Sequence, residues 1–219
     1  MDLDVVWHTV DSERASLADL LDDLSPAEWE TPSLCDAWRV RDVAAHLTLA
    51  HMGPWPAAIA AVRARGRFDR MIRDSALRTG PLPPEECGRR IRAMVGSRRT
   101  APFVSPVEPL TDVLVHGQDI ALPLGRTRPV PPAAAATSAA RVWATGFPFR
   151  ARRRLAGLRL VATDSDWSAG EGARVEGPTG DLLLLLTGRT AAALPRLTGE
   201  GAQLLSAAPG RREDTRRTT

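Results

Sequence analysis

Apolar positions recur at helical spacing through the first two thirds of the chain, then shift to alternation. Leu3, Val6, Val10, Leu17, Leu20, Leu21 and Leu24 form one stripe and predict a helix over residues 3–24. Ser25-Pro26, with Glu28 in the first turn, is an N-cap followed by proline at the first helical position, and predicts a short helical turn. A loop over 33–39 leads into a helix from about Val40 to Ala50, with Val43, Leu47 and Ala50 on its apolar face and His46 beside them. Gly53-Pro54 interrupts the pattern, a helix is predicted over Ala57–Arg65, and a further one is an option at Asp69–Leu77. Pro83-Pro84 opens a helix predicted to run to about Arg98. Residues 100–107 hold two prolines and connect to a helix opened by Pro109 and ended before Pro123. Pro131-Pro132 starts an alanine-rich helix that closes near Phe147-Pro148.

After Ala156 the pattern changes. Residues 157–163 alternate like a strand, 164–172 read as a turn and a glycine-rich loop, and 173–176 as a second short strand. Helices are predicted at 181–187 and 199–205. The expected fold is mainly α: a helical domain over residues 1–150, a small α/β domain over 151–208, and a polar, mixed-charge tail over 209–219 that reads as disordered. No internal repeat is apparent.

Composition narrows the function classes. The 219 residues are 43% hydrophobic and 25% charged, as expected of a globular protein with a real core. No apolar run approaches the roughly 20 residues that span a bilayer, and the acidic N-terminus lacks the layout of a signal peptide. The expectation is a cytoplasmic protein with no membrane partner. The net charge of +3 comes from arginine alone, since the chain has no lysine. Its basic clusters are scattered, aromatic residues are 5% and tyrosine is absent, so nucleic-acid binding is not expected. Cys35 and Cys87 form neither a disulfide framework nor a thiolate metal site; they read as reduced cysteines, with a catalytic thiol as the other option, Cys35 lying in a loop-like stretch.

The candidate chemistry lies in three residues. Asp112 and His116 are four apart in a predicted helix, so their side chains share one face. His46 sits on another predicted helix. Two imidazoles and a carboxylate suit a first-row divalent metal, and three protein ligands leave a position open for chemistry. The same spacing also describes an exposed ion pair or a hydrogen-bonded histidine. His8 reads as structural, and His51 suits the end of its helix. Asp119, one turn after His116, reads as an ordinary solvated aspartate, with support of a ligand as the other option.

Four segments carry a family resemblance. Trp38-Arg-Val-Arg-Asp-Val-Ala-Ala-His-Leu47 resembles the first metal-ligand motif of the mycothiol-dependent maleylpyruvate isomerase family, within the DinB-like superfamily. Asp112-Val-Leu-Val-His-Gly-Gln-Asp-Ile-Ala121 resembles its second, and residues 161–172 and 177–189 resemble its small C-terminal domain. The resemblance implies a DinB-like four-helix bundle followed by a small α+β domain. It implies a divalent metal, zinc in the best-known members, held by His46, Asp112 and His116. It also implies mycothiol, the thiol cofactor of actinobacteria, as metal-bound nucleophile. The expected activity is that of a cis–trans isomerase or S-transferase acting on a small electrophilic metabolite; the alternative is a non-catalytic metal-binding or regulatory module of the same fold. The characterised isomerase has glutamate where this chain has Asp112, a carboxylate one methylene shorter. Arginines of the helix at 83–98 are candidates for binding carboxylates of substrate or cofactor.

Overall fold

The computed structural model describes residues 1–48, 82–100, 105–146 and 148–207. The helices predicted at 57–65 and 69–77, His51 and the tail lie outside them. The chain divides into two compact units, Met1–Ser138 and Ala139–Thr219.

In the first unit, α1 spans Leu3–Asp22 and is capped by the Asp2 carboxylate, which accepts from the Asp4 N–H. The short α2, Pro26–Trp29, begins with a capping box: Ser25 Oγ accepts from the Glu28 N–H, and the Glu28 carboxylate accepts from the Ser25 N–H. The remaining helices are α3 (Val40–Thr48), α4 (Pro84–Arg92), α5 (Val107–Ala121) and α6 (Pro132–Ala144), the last crossing the division between the units. Helices α1 and α3 each pack against both α4 and α5, which closes a four-helix bundle. Its core gathers Leu17, Leu21, Val43, Leu47, Ile91, Val113 and Ile120. Burial of such side chains stabilises the fold by roughly 1.5–3 kcal/mol each.

Two boundaries differ from those predicted. Helix α4 stops at Arg92 rather than near Arg98. The chain turns there because tertiary partners claim its backbone: Asp11 accepts from the Gly96 N–H, and the Arg14 guanidinium donates to the carbonyls of Met94 and Ser97. Helix α5 begins two residues before Pro109, which occupies the first turn, where a missing N–H costs nothing.

In the second unit, a three-stranded sheet has the order β2-β1-β3, with β1 at Leu158–Ala162, β2 at Ser168–Gly170 and β3 at Ala173–Gly177. Strand β1 pairs antiparallel with β2 and parallel with β3. The three-residue β2 lies in the stretch predicted as turn and loop; Ser-Ala-Gly carries no apolar alternation to announce it. The unit also contains α7 (Ala151–Arg154), α8 (Thr179–Leu186), α9 (Thr190–Ala193), a 3-10 turn at Leu194–Arg196, and α10 (Glu200–Ala207). Helix α8 buries Leu182 to Leu186, and its first turn is pinned where Asp164 accepts from the Thr179 N–H at 2.8 Å. A bundle followed by a small α+β unit is the fold class expected from the sequence.

Candidate metal centre

Helix α5 supplies three polar groups on one face. Asp112, His116 and Asp119 stand at i, i+4 and i+7, one above another. Helix α3 supplies His46, which is 9% exposed and flanked by the buried Val43, Ala44 and Leu47. The contact of α3 with α5 brings the two imidazoles together, with ring centroids 5.0 Å apart and planes at 78°. Trp38 closes one side of His46, centroid to centroid 5.6 Å, in an edge-on arrangement.

The donor atoms converge. Asp112 Oδ1 lies 3.4 Å from His116 Nε2 and 3.8 Å from His46 Nε2. One ligand atom from each of the three residues can be chosen so that all lie within 4.8 Å of one another. Two ligands of a tetrahedral zinc ion with bonds near 2.05 Å are separated by about 3.3 Å. The carboxylate–imidazole separations are close to that value, so the donor set fits a divalent metal in both chemistry and spacing.

Asp119 departs from the solvated role expected of it. It has no exposed surface, and its Oδ2 lies 2.7 Å from His116 Nδ1. An ionised carboxylate only accepts, so this contact places a proton on Nδ1, and Nε2 is the ring nitrogen that faces Asp112. Cys35, read from sequence as a reduced cysteine with a catalytic thiol as the other option, joins the same group. Its thiol donates to Asp119 Oδ2 at 3.1 Å and lies 3.8 Å from His116 Nδ1. Neither contact is visible in local sequence, because both depend on α5 burying Asp119 against the 33–38 loop.

The electrostatics call for positive charge. Burial alone would lower the His116 pKa, but the hydrogen bonds to Asp119 and Cys35 and the charges of Asp112 and Asp119 outweigh it and raise it to about 10. Two carboxylates around one imidazole make a site that favours a proton or a metal cation. Arg14 of α1 also feels the Asp112 charge. Burial lowers its pKa, Asp11 and Asp112 oppose that, and Arg98 adds to it. Arginines at 83–98 are engaged in ion pairs: Arg89 and Arg90 with Glu86, Arg92 with Asp19 and Asp22, and Arg98 with Asp11. Sequence reasoning did not single out Arg14, a buried arginine whose pKa the Asp112 charge raises. His8 is exposed on α1.

Residues 10–102 match the family model described as the mycothiol maleylpyruvate isomerase N-terminal domain. This segment belongs to that family. The match contains His46 and Cys35, while Asp112, His116 and Asp119 lie beyond it. Among solved structures, the chain is similar to the crystal structure of the mycothiol-dependent maleylpyruvate isomerase, with a TM-score of 0.62 and 15% identity over 92% of this chain and 94% of that one. A histidine-to-alanine mutant of that enzyme gives a TM-score of 0.62 and 16% identity, with the same coverage. At such identities the likeness is one of fold. Comparison with curated proteins finds no match. No described helix is long and apolar enough to cross a membrane.

Proposed function

We propose that this protein is a divalent-metal-dependent, mycothiol-using enzyme of the isomerase or S-transferase type, acting on a small electrophilic metabolite in the cytoplasm. His46, Asp112 and His116 would hold the metal, zinc being the best match to two imidazoles and one carboxylate. The observation that carries the reading is the convergence of these three side chains from two helices at separations suited to one ion. The N-terminal family match and the fold shared with mycothiol-dependent maleylpyruvate isomerase support the thiol cofactor.

A bound divalent metal would depress the pKa of a thiol ligand and polarise a substrate oxygen. The protein's own groups would do the rest. Asp119 fixes the His116 ring through Nδ1, so Nε2 would face the metal without rotation of the ring. Trp38 and the apolar face of α3 keep water from one side of His46. The Arg14 guanidinium would partly offset the Asp112 charge. Asp112 would hold the metal through a carboxylate one methylene shorter than glutamate.

The test is calorimetric titration of the zinc-loaded protein with mycothiol, in wild type and His116→Ala. Saturable binding to wild type that His116→Ala abolishes is the expected result. Zinc binding without mycothiol binding would favour a non-catalytic metal-binding module of the same fold.

A further inference from the structure

We propose that Cys35 is a positioning residue, acting on His116 through Asp119. The inference concerns a residue of the site described above and rests on that reading for its consequence, metal retention. The geometry itself stands apart from it. Asp119 Oδ2 receives two donors, the Cys35 thiol at 3.1 Å and His116 Nδ1 at 2.7 Å. The loop carrying Cys35 meets Asp119 a second time, where the Leu34 N–H donates to the Asp119 carbonyl at 3.2 Å. One residue of α5 is thus held through both its main chain and its carboxylate by one loop.

That loop is built to present the thiol. The Ser33 hydroxyl donates to the Trp38 carbonyl at 2.9 Å and accepts from the Cys35 N–H at 3.1 Å. The Trp38 N–H donates to the Cys35 carbonyl at 3.0 Å, and Pro32 bridges Arg39 at the base. Ala37 is held at φ 61°, a conformation costly for a residue with a Cβ. Such strain persists only where the surroundings over-determine the backbone.

Cys35, His116 and Asp119 also lie close enough together to suggest a second metal. Distance decides against it. The 2.7 Å between His116 Nδ1 and Asp119 Oδ2 is shorter than the about 3.3 Å between two ligands of one tetrahedral ion. A proton fits there; an ion shared by both atoms does not. The thiol therefore belongs to a relay of hydrogen bonds, Cys35 to Asp119 to His116, that fixes the carboxylate oxygen facing the imidazole. Outer groups of this kind change metal affinity by roughly 10–100-fold when removed.

The experiment compares wild type, Cys35→Ala and Cys35→Ser. In metal-free, 15N-labelled protein, the His116 Nδ1–H resonance reads the relay directly. In the same proteins, competition with a chromogenic chelator reads zinc affinity. Cys35→Ala is expected to shift the resonance and weaken zinc binding roughly 10-fold, and Cys35→Ser, which keeps a donor, to restore both. If Cys35→Ala fails to fold, methylthiolation of folded wild type removes the same S–H. Cys87, the other cysteine, is 1% exposed and its pKa is pushed up to about 12 by burial, so the reagent modifies Cys35. An unchanged resonance in Cys35→Ala or in the modified protein overturns the proposal. So does a sulfur-to-cobalt charge-transfer band in cobalt-loaded wild type, which would make Cys35 a ligand, or binding of two zinc ions per chain. If wild type binds no zinc at all, the metal reading fails, and the resonance still decides the relay.

Discussion

Asp119 Oδ2 stands 2.7 Å from His116 Nδ1 and is shut off from solvent. Asp119→Asn keeps the shape but loses the charge that holds the proton on Nδ1. Zinc affinity is expected to fall roughly 10-fold, and in Asp119→Ala toward 100-fold. Chelator competition at fixed pH checks the order: wild type tightest, then asparagine, then alanine.

The next residue but one before Asp119 faces a different constraint. A Cβ added at Gly117 would lie 2.6 Å from Arg128 Nε. Arg128 cannot swing away, because its guanidinium donates to the Glu13 carboxylate at 2.5 Å, to the Glu13 carbonyl at 2.9 Å and to Ser16 Oγ at 2.8 Å. Burial raises the Glu13 pKa and lowers that of Arg128, outweighing their mutual attraction on both sides. Gly117→Ala should therefore destabilise by about 1–3 kcal/mol through overpacking. Glu13→Ala, which strands a buried cation, should cost about 3–5 kcal/mol. Urea unfolding monitored by circular dichroism measures both.

How much of this was legible beforehand depends on the range of each contact. The i,i+4 spacing put Asp112 and His116 on one face, and Ser25-Pro26 announced α2 through local capping chemistry alone. Asp119 looked like any solvated aspartate, because its burial arises from the loop at 33–38 and not from its neighbours on α5. Cys35 was hidden for the same reason: 84 residues separate it from Asp119. The end of α4 was misplaced because Asp11 and Arg14, far back in the chain, take the backbone groups that a longer helix would have used.

Glu28 gives the acid limb of stability. Hydrogen bonds from the Ser25 backbone and side chain, then from Arg126, hold its pKa at about 2 against an ordinary 4.5. A depressed carboxylate pKa adds stability above the ordinary value and loses it as pH falls through the folded one. Wild type should therefore lose this contribution between about pH 4.5 and 2. Glu28→Gln should melt lower than wild type at pH 7, and the gap should close as pH falls below about 2. Thermal unfolding across that range measures the difference.

Ala37 offers a gain. Its φ of 61° costs an L-residue about 1–2 kcal/mol, and glycine adopts it freely at an entropic cost of roughly 0.5–1 kcal/mol. Ala37→Gly is expected to stabilise the fold by about 0.5–1 kcal/mol, read as a higher midpoint in urea.

The most direct measurement is metal stoichiometry. Protein purified without chelator, stripped and then reconstituted with zinc, should bind one ion per chain by elemental analysis. His46→Ala, Asp112→Ala and His116→Ala, each shown to be folded, should bind none after dialysis. Failure of wild type to take up zinc or any other first-row divalent ion would contradict the account, as would full retention in all three variants.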